Sequence, residues 1–371
     1  MARTLQGEDR LLRWLRRRLD GSRQQPGSSR TPLTPLLGDD AAVLPARGPV
    51  AVTVDSQIAG VHFMPGLDAA VIAERLLAVN LSDLAAMGAA PAYAFLALTA
   101  TPDFDHRRFF RALLAGCDRH RMRLAGGDLS RPPAGAHGAP GVAGAGDERA
   151  STDAGGALVA TLTVLGGHRR GTRWLRRAGA APGHQLWLGG TIGESAAGRM
   201  LMAAGARFVS GRVVLPSGWA SWETRRPLAG AARRAVRRHL LPRPQLELGR
   251  WLARQTAGAA IDVSDGVARD LYRLCGESEV GARIEAAELP LAPSFRSLCA
   301  ALAVEPEELA LGGGEDYVLL FTLPAGVEPP ARFGCRRIGA VTAGRRLSLI
   351  VRGKASALAP AGWDHLDGKS N

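Results

Sequence analysis

The sequence predicts a two-domain protein of the α/β (α+β) class. Its 371 residues, 46% of them hydrophobic, are enough to form two hydrophobic cores. Short β-type runs alternate with helical patterns along the chain, and a glycine-rich stretch at 166–172 separates two halves. We therefore expect an N-terminal domain at residues 1–166 and a C-terminal domain at residues 167–371.

The N-terminal half alternates the two kinds of pattern. Leucines at helical spacing and apolar β-type runs mark its elements. The predicted helices are 5–19, a long one that Asp68 caps and that ends before Gly88, and 104–119. The predicted strands are 41–44, 50–55, 93–99, 122–125 and 158–165. The Ser-, Pro- and Gly-rich stretch 21–35 is a predicted loop, and 131–156 is a predicted flexible insertion.

The C-terminal half begins with a predicted strand at 185–188 and a helix at 193–204. Residues 206–224 show no period and are predicted to be irregular. A basic helix is predicted at 225–240, because Pro242 and Pro244 stop it. Strand and helix patterns alternate from there to the end of the chain.

Lysine is almost absent from this basic protein. The chain has 47 Lys and Arg residues against 34 Asp and Glu, a net charge of +13, yet its only lysines are Lys354 and Lys369. A Walker-type P-loop is therefore excluded, and a lysine Schiff base or a kinase-type strand lysine lacks a plausible residue. The arginine excess is interpreted as a solvated surface, with attraction of nucleic acid or anionic metabolites as the alternative.

Other features predict a cytoplasmic protein. The four cysteines lie far apart and form no C-x-x-C pair, which argues against a zinc site or a disulfide scaffold. No apolar run is long enough to cross a membrane, and the N-terminus lacks the apolar region of a secretory signal.

Acidic residues collect beside glycines and at the ends of predicted strands. Each segment taken alone is typical of a turn or a helix cap, but six of them occur in one chain. They are Gly38-Asp39-Asp40, Val54-Asp55-Ser56, Asn80-Leu81-Ser82-Asp83, Gly126-Gly127-Asp128, Ile261-Asp262-Val263-Ser264-Asp265-Gly266 and Gly312-Gly313-Gly314-Glu315-Asp316.

Local geometry predicts which of these side chains share a face. Asp55 and Thr53 alternate with the valines on a strand, and Asp262 and Ser264 share a face if their segment is extended. Asp265 is predicted to cap a helix that begins near Gly266, whose N-terminus would offer backbone N–H groups to a phosphate.

Asn80 and Asp83 lie three residues apart on an otherwise apolar helix, where a carboxylate is costly unless it has a partner. If the acidic segments converge, their carboxylates repel one another, and divalent cations relieve that repulsion. Mg²⁺ takes oxygen ligands and leaves positions for water and substrate phosphates. The pattern therefore predicts phosphate chemistry assisted by several Mg²⁺ ions.

These segments, in this order, resemble the thiamine-monophosphate kinase family of the aminoimidazole-ribonucleotide synthetase-like superfamily. The likeness runs from about residue 6 to 366, and its most specific block is residues 78–89. The matching segments are Gly38–Leu44, Asp55 with Ile58–Phe63, Ala78–Ala89, Gly126–Asp128, Arg177–Ala180, Ala260–Gly266, Gly313–Tyr317 and Gly362–His365.

The resemblance implies a two-domain fold of that superfamily, with N-terminal sheets pairing in a homodimer and a C-terminal α/β sandwich. It implies transfer of the γ-phosphoryl group of ATP to thiamine monophosphate, with several Mg²⁺ ions, giving thiamine diphosphate and ADP. No nucleic acid or membrane partner is expected.

The resemblance also assigns roles to residues. The implied metal ligands are Asp39, Asp55, Asp83, Asp128, Asp262 and Asp265. The implied ATP contacts are Gly127, Asp128, Arg177 and Ser264, and the implied contacts to thiamine monophosphate are His62, Glu315 and Trp363. Because the acceptor is an ionised phosphate, no general base is assigned.

The chain departs from the family pattern at one position near the metal ligands. The family usually has a small hydroxyl residue before Asp55, and this chain has Val54. Thr53 keeps a hydroxyl one residue earlier and is included among the metal ligands.

Two alternatives remain at this point. The first is another ATP-using small-molecule synthetase of the same superfamily. Its selenophosphate branch needs a reactive cysteine near the N-terminus, whereas the first cysteine here is Cys117. The second is a catalytically inactive, basic nucleic-acid-binding module, for which Arg225–Arg238 is the best feature.

Overall fold

A computed structural model describes residues 48–133, 158–168, 172–216, 226–255 and 258–363, and also Leu11, Trp14, Leu15, Arg17 and Arg18. Those five residues are helical, in agreement with the helix predicted at 5–19. The predicted loop at 21–35, the strand at 41–44, Asp39 and most of the 131–156 insertion lie outside the described residues.

The chain divides into two compact units. The N-terminal unit contains the chain through Asn80 and Pro91–Gly167, and the C-terminal unit contains Leu81–Ala90 and the chain from His168 onward. The change from one unit to the other therefore falls within a single helix.

A four-stranded sheet forms the N-terminal unit. Its strands are β1 (Ala51–Ile58), β2 (Ala90–Thr99), β3 (Arg123–Ser130) and β4 (Val159–Gly167), in the order β1-β4-β2-β3. β1 runs antiparallel to β4, from the pair Ala51 and Gly166 to the pair Ile58 and Val159. β2 and β3 are parallel, which brings the carboxyl ends of both strands to the same edge.

The helices α1 (Ala69–Ala86) and α2 (His106–Arg119) accompany this sheet. The Asp68 carboxylate accepts a hydrogen bond from the Ala70 N–H at 2.8 Å, so its predicted place at the start of α1 is confirmed. The same carboxylate binds both the Nε and the Nη2 of Arg108 at 2.7 Å. This bidentate pair fixes the start of α1 to the first turn of α2.

A seven-stranded sheet forms the centre of the C-terminal unit. Its strands are β5 (Gln185–Leu188), β8 (Ala260–Asp262), β9 (Gly281–Glu285), β10 (Leu319–Leu323), β11 (Arg336–Thr342), β12 (Leu347–Val351) and β13 (Lys354–Ala357). They are ordered β13-β12-β9-β11-β5-β10-β8, and only the pair β9 and β12 is parallel. A separate hairpin joins β6 (Arg207–Val209) to β7 (Arg212–Val214).

The helices of the C-terminal unit are α3 (Glu194–Ala203), α4 (Arg226–Leu240), α5 (Leu246–Leu252), α6 (Val267–Ser278), α7 (Phe295–Leu302) and α8 (Pro306–Gly312). Short 3₁₀ turns lie at Ala286–Glu288 and Ala331–Phe333. A Cβ placed on Gly198 of α3 would lie 2.2 Å from the Ala235 carbonyl oxygen of α4. The two helices therefore pack backbone to backbone at this glycine.

Most predicted elements occur within a few residues of their expected bounds. The hairpin of β6 and β7 shows that the prediction of an irregular 206–224 was wrong for residues 207–214. β3 is longer than the predicted 122–125, because Gly126 and Gly127 continue the strand instead of ending it. In the described part of the chain, no helix has both the length and the apolar character that a membrane span requires.

We predict opposite effects on stability for alanine at two helical glycines. Gly198→Ala should destabilise the fold by about 1–3 kcal/mol or more, because the new methyl group meets the α4 backbone. Gly230→Ala on α4 meets nothing within 4 Å and should stabilise by about 0.5–1 kcal/mol. Urea denaturation of the two variants measures both changes in the free energy of unfolding. Equal changes would show that helix propensity alone determines the effect of the substitution.

Candidate functional site

One face of β1 carries the polar side chains predicted to bind metal. Thr53 and Asp55 are partly buried on that face, whereas Val52 and Val54 lie on the other face and are 59% and 58% exposed. The predicted alternation is confirmed. A side chain at position 54 therefore lies away from Asp55, and Thr53 is the hydroxyl that shares its face.

A buried arginine lies beneath the same polar face. Gln57 continues this face, and its Oε1 accepts a hydrogen bond at 2.9 Å from the Nε of Arg75, a fully buried side chain of α1. A buried guanidinium is costly unless its donors are satisfied, so this contact fixes α1 against β1. The strand that presents Asp55 is thereby held in place.

Gly127 and Asp128 lie on β3 in the same unit. A Cβ on Gly127 would lie 1.9 Å from the Leu96 carbonyl oxygen of β2, so the close pairing of the two strands requires glycine. Both residues are exposed to solvent. The structure therefore presents a backbone without a side chain next to an exposed carboxylate.

His62 lies just beyond the end of β1. Its Nδ1 accepts a hydrogen bond from the Ile58 N–H at 3.1 Å. A neutral ring that accepts at Nδ1 carries its proton on Nε2, which is then a donor. The histidine is half-buried and its ring orientation is set by this contact.

The carboxyl end of β8 places Asp262 against the last turns of α1. Asp262 is a buried residue, 5% exposed, and its carboxylate accepts a hydrogen bond from the Ser82 hydroxyl at 2.8 Å. Asp83 follows Ser82 directly and is half-buried. Two acidic side chains 179 positions apart in sequence are therefore brought to one region of the C-terminal unit.

A buried carboxylate on α6 organises the segment that follows Asp262. Asp270 is completely buried, and its Oδ2 accepts hydrogen bonds from the Ser264 and Asp265 N–H groups, both at 3.1 Å. Its Oδ1 accepts one from Arg273 Nη1 at 2.8 Å. Burial, reinforced by the nearby charge of Asp265, raises the pKa of Asp270 to about 6.

Asp265 does not cap α6, contrary to the prediction. The helix begins at Val267 with Gly266 at its N-cap, and no side chain makes a capping hydrogen bond. The Asp265 carboxylate instead forms an ion pair with Arg273 Nη1 at 2.6 Å. Asp262 and Ser264 also do not share a strand face, because β8 ends at Asp262 and the chain bends at Ser264.

Backbone hydrogen bonds join this segment to two others that sequence analysis singled out. The Glu315 N–H donates to the Ser264 carbonyl at 2.6 Å, and the Trp363 N–H donates to the Asp265 carbonyl at 2.9 Å. Arg269 Nη1 donates to the Trp363 carbonyl at 2.6 Å. Ser264, Asp265, Glu315 and Trp363 are therefore assembled in one place.

Arg177 lies at the other end of α6. Its carbonyl accepts a hydrogen bond from the Ser278 hydroxyl at 2.8 Å, and its side chain is exposed. Ser278 is the last residue of α6, whereas Asp265 precedes the first, a separation of about 18 Å along a helix of 12 residues. The structure does not bring the Arg177 backbone to the cluster around Ser264.

Asp316, next to Glu315, is held by the N-terminus of α3. Its Oδ2 accepts from the Gly193 N–H at 2.9 Å and its Oδ1 from the Ser195 N–H at 3.5 Å. The residue is 9% exposed, and burial raises the pKa of Asp316 to about 7. Sequence analysis quoted Asp316 beside Glu315 but assigned it no role.

Sequence analysis also missed Asp270 and His239. Asp270 is an acid among buried apolar positions of an amphipathic helix, which was a usable signal because a buried carboxylate needs partners. His239 at the end of the basic helix gave no such signal, and its contact with Glu315 appears only in three dimensions.

The acidic residues suit Mg²⁺ in their chemistry. Among the residues that the structure describes, no three Asp, Glu, His or Cys side chains form a group able to hold a metal ion. Mg²⁺ is usually held by one or two carboxylates, with water and substrate phosphates as further ligands. The carboxylates of Asp83, Asp262 and Asp265 in the C-terminal unit offer oxygens of this kind. Convergence of the complete acidic set, which includes Asp39, stays a prediction.

Comparison with known proteins gives a consistent result. Residues 38–146 match the protein family described as AIR synthase related protein, N-terminal domain. The thiamine-monophosphate kinase of Escherichia coli (strain K12) is 37% identical over 307 residues, which cover 80% of this chain and 78% of that protein.

Solved structures agree with the fold. The crystal structure of thiamine-monophosphate kinase from Stenotrophomonas maltophilia has a TM-score of 0.70 at 29% identity, covering 93% of this chain and 97% of that one. A complex named AaThiL with AMPPCP and TMP has a TM-score of 0.68 at 24% identity, covering 98% and 100%.

We predict that Asp316→Asn changes how stability depends on pH. The pKa of this carboxyl is 3.8 in ordinary surroundings, and burial raises the pKa of Asp316 to about 7 in the folded protein. The folded state therefore holds this proton more tightly than the unfolded state, and stability is lost as pH rises through this window. Relative to Asp316→Asn, the wild type should become less stable between about pH 4 and 7, then run parallel. Urea midpoints at several pH values measure the difference, and a constant difference would contradict the prediction.

Proposed function

The chain belongs to the thiamine-monophosphate kinase family, and on this basis we propose that it transfers the γ-phosphoryl group of ATP to thiamine monophosphate, giving thiamine diphosphate and ADP. The observation that carries the proposal is the assembled cluster of Ser264, Asp265, Glu315 and Trp363 in a chain 37% identical to such a kinase. A structural relative is named as a complex with AMPPCP and TMP, which supports both substrates.

Three side chains are proposed to recognise thiamine monophosphate. The Trp363 ring would lie near the thiamine rings, where an aromatic face attracts their positive charge. The Glu315 carboxylate, with a side chain 23% exposed, would add a negative charge beside them. The Nε2–H of His62 would donate a hydrogen bond to the acceptor molecule.

Catalysis of this reaction depends more on electrostatic stabilisation of the reacting phosphates than on proton transfer. The attacking oxygen belongs to a phosphate that is already ionised, so no general base is needed. Several Mg²⁺ ions would relieve the repulsion between the two anionic substrates. The proposed ligands are Asp39, Thr53, Asp55, Asp83, Asp128, Asp262 and Asp265.

ATP is proposed to contact backbone and arginine groups. Gly127 would admit the nucleotide close to the β3 backbone, since it has no side chain, and Asp128 would take part through the metal. Ser264 lies just before α6, whose N-terminus favours phosphate. Arg177 would supply a positive charge through its exposed side chain.

Family membership argues against the two alternatives. A synthetase with a different acceptor would not account for the identity to thiamine-monophosphate kinases. An inactive nucleic-acid-binding module would not need the buried Asp262 carboxylate, whose charge repels phosphates unless a cation is bound. We further propose a cytoplasmic location, which the supply of ATP and the four unpaired cysteines support.

We predict that the purified chain forms thiamine diphosphate from thiamine monophosphate, ATP and Mg²⁺. Asp262→Asn and Asp83→Asn should each lower kcat by at least about 100-fold, because each removes a charge proposed to bind metal while keeping the size of the side chain. Chromatographic measurement of thiamine diphosphate checks the result.

Glu277→Gln is a matched control, since Glu277 is an exposed carboxylate on α6. It should leave the rate unchanged, and circular dichroism should show all three variants folded. Undiminished turnover after complete chelation of Mg²⁺ would refute the metal role. Failure to phosphorylate thiamine monophosphate would refute the proposed function.

We also propose that the chain is a homodimer joined through its N-terminal sheets. Val50, Val52 and Val54 lie at or on β1 and are 41%, 59% and 58% exposed, a row of apolar side chains on one face. Leu165 and Thr163 of β4 lie opposite Val52 and Val54. An apolar sheet face exposed to water is stabilised when a second copy covers it.

The dimer proposal predicts a mass of twice the 39.0 kDa chain in size-exclusion chromatography with light scattering. The double variant Val52→Glu and Val54→Glu should elute as a monomer, because paired sheets would bury four added charges. Val351→Glu on β12, at a site 42% exposed, is the control and should keep the wild-type mass. A dimeric double variant would place the interface elsewhere.

A further inference from the structure

The turn that carries Glu315 has an unusual backbone. Glu315 and Tyr317 have φ values of +57° and +51°, in the left-handed region that non-glycine residues rarely adopt. Such conformations cost of order 1 kcal/mol each and persist where surrounding contacts impose them. The contacts that impose them here come from both sides of the turn.

The backbone of the turn is held from one side and the Asp316 side chain from the other. Ser264 and Val263 accept hydrogen bonds from the Glu315 and Tyr317 N–H groups at 2.6 and 2.8 Å. The N-terminus of α3 binds the Asp316 carboxylate through the Gly193 and Ser195 N–H groups. The direction of the Glu315 side chain is then decided by what its carboxylate meets.

That carboxylate meets His239, the penultimate residue of α4. The His239 Nδ1 lies 3.3 Å from Glu315 Oε2 and 3.4 Å from the Ser195 hydroxyl oxygen. The His239 side chain is 5% exposed and that of Glu315 is 23% exposed. One end of the carboxylate is therefore held by a buried ring while the residue still reaches solvent.

The position of His239 is itself fixed by helix packing. Ser195 lies in the first turn of α3 and His239 in the last turn of α4, and these helices approach backbone to backbone at Gly198 and Ala235. A ring anchored at such a contact has little freedom to move. It can therefore set the direction of Glu315 more precisely than an exposed side chain would.

We propose that His239 is a positioning residue for recognition of thiamine monophosphate: its Nδ1–H donates to Glu315 and holds that carboxylate where the acceptor molecule binds. The inference rests on the proposed function, in which Glu315 contacts thiamine monophosphate. His239 does not itself touch either substrate or the reacting atoms.

Three substitutions separate this role from simple packing. His239→Asn places an amide N–H near the position of Nδ1, His239→Gln places it near Nε2, and His239→Leu has no donor. A role through Nδ1 requires the Asn variant to behave like the wild type and the other two variants to behave alike. A packing role would instead favour the variants closest in volume, His239→Gln and His239→Leu.

The measurement is steady-state kinetics with both substrates varied. His239→Leu and His239→Gln should raise KM for thiamine monophosphate by roughly 10- to 100-fold, as expected for a lost hydrogen bond to a charged group. KM for ATP should change less than about twofold, and His239→Asn should recover most of the loss. His184→Asn, a partly buried histidine beside β5, is the control with unchanged constants.

A double-mutant cycle with Glu315→Gln tests whether His239 acts through Glu315. In the Glu315→Gln background, His239→Leu should have little further effect on KM for thiamine monophosphate. Full additivity, an unchanged KM, or equal changes in both KM values would overturn the positioning role while the proposed function stands. A wild-type chain that does not phosphorylate thiamine monophosphate would overturn both.

Discussion

The candidate site of the C-terminal unit depends on one buried carboxylate, that of Asp270. Two backbone N–H groups donate hydrogen bonds to it, and these bonds hold the segment from which the site is built. The two N–H groups belong to Ser264 and Asp265. The carbonyl groups of the same two residues then receive the N–H groups of Glu315 and Trp363. A completely buried carboxylate is tolerated because Arg273 and the two N–H groups compensate it. If the hydrogen bonds to Asp270 were lost, the segment of Ser264 and Asp265 would no longer be held where Glu315 and Trp363 bind to it.

Three glycines of the segments that sequence analysis singled out allow close approach between backbones. A Cβ on Gly314 would lie 2.8 Å from the Ser264 carbonyl oxygen, and one on Gly362 would lie 2.4 Å from the Asp265 carbonyl oxygen. Gly127 plays the same part between β2 and β3. At Gly127 and Gly314 the Gly-acid pattern is therefore explained by packing as much as by chemistry: the glycine lets two segments approach closely, and the acidic residue that follows it lies at the contact.

Sequence reasoning succeeded where the signal is local. The limits of β5, the Asp68 start of α1 and the alternation along β1 follow from periodicity and capping, which neighbouring residues determine. It failed at the hairpin of β6 and β7, whose three-residue strands are too short to show a period. It also failed for Asp265, whose carboxylate pairs with Arg273, about two turns into α6, instead of capping the helix. The resemblance to a known family singled out Ser264, Glu315 and Trp363, but the contacts that join them arise from tertiary structure.

The left-handed turn at Glu315 and Tyr317 has a bearing on how this chain can be engineered. Glycine at either position would adopt the observed φ without steric cost. A screen for heat resistance alone would therefore tend to replace Glu315 by glycine, and the variant would lack the carboxylate that is proposed to contact thiamine monophosphate. A substitution that raises thermal stability at this turn is expected to lower turnover. A library of variants selected for one property should therefore be measured for the other as well.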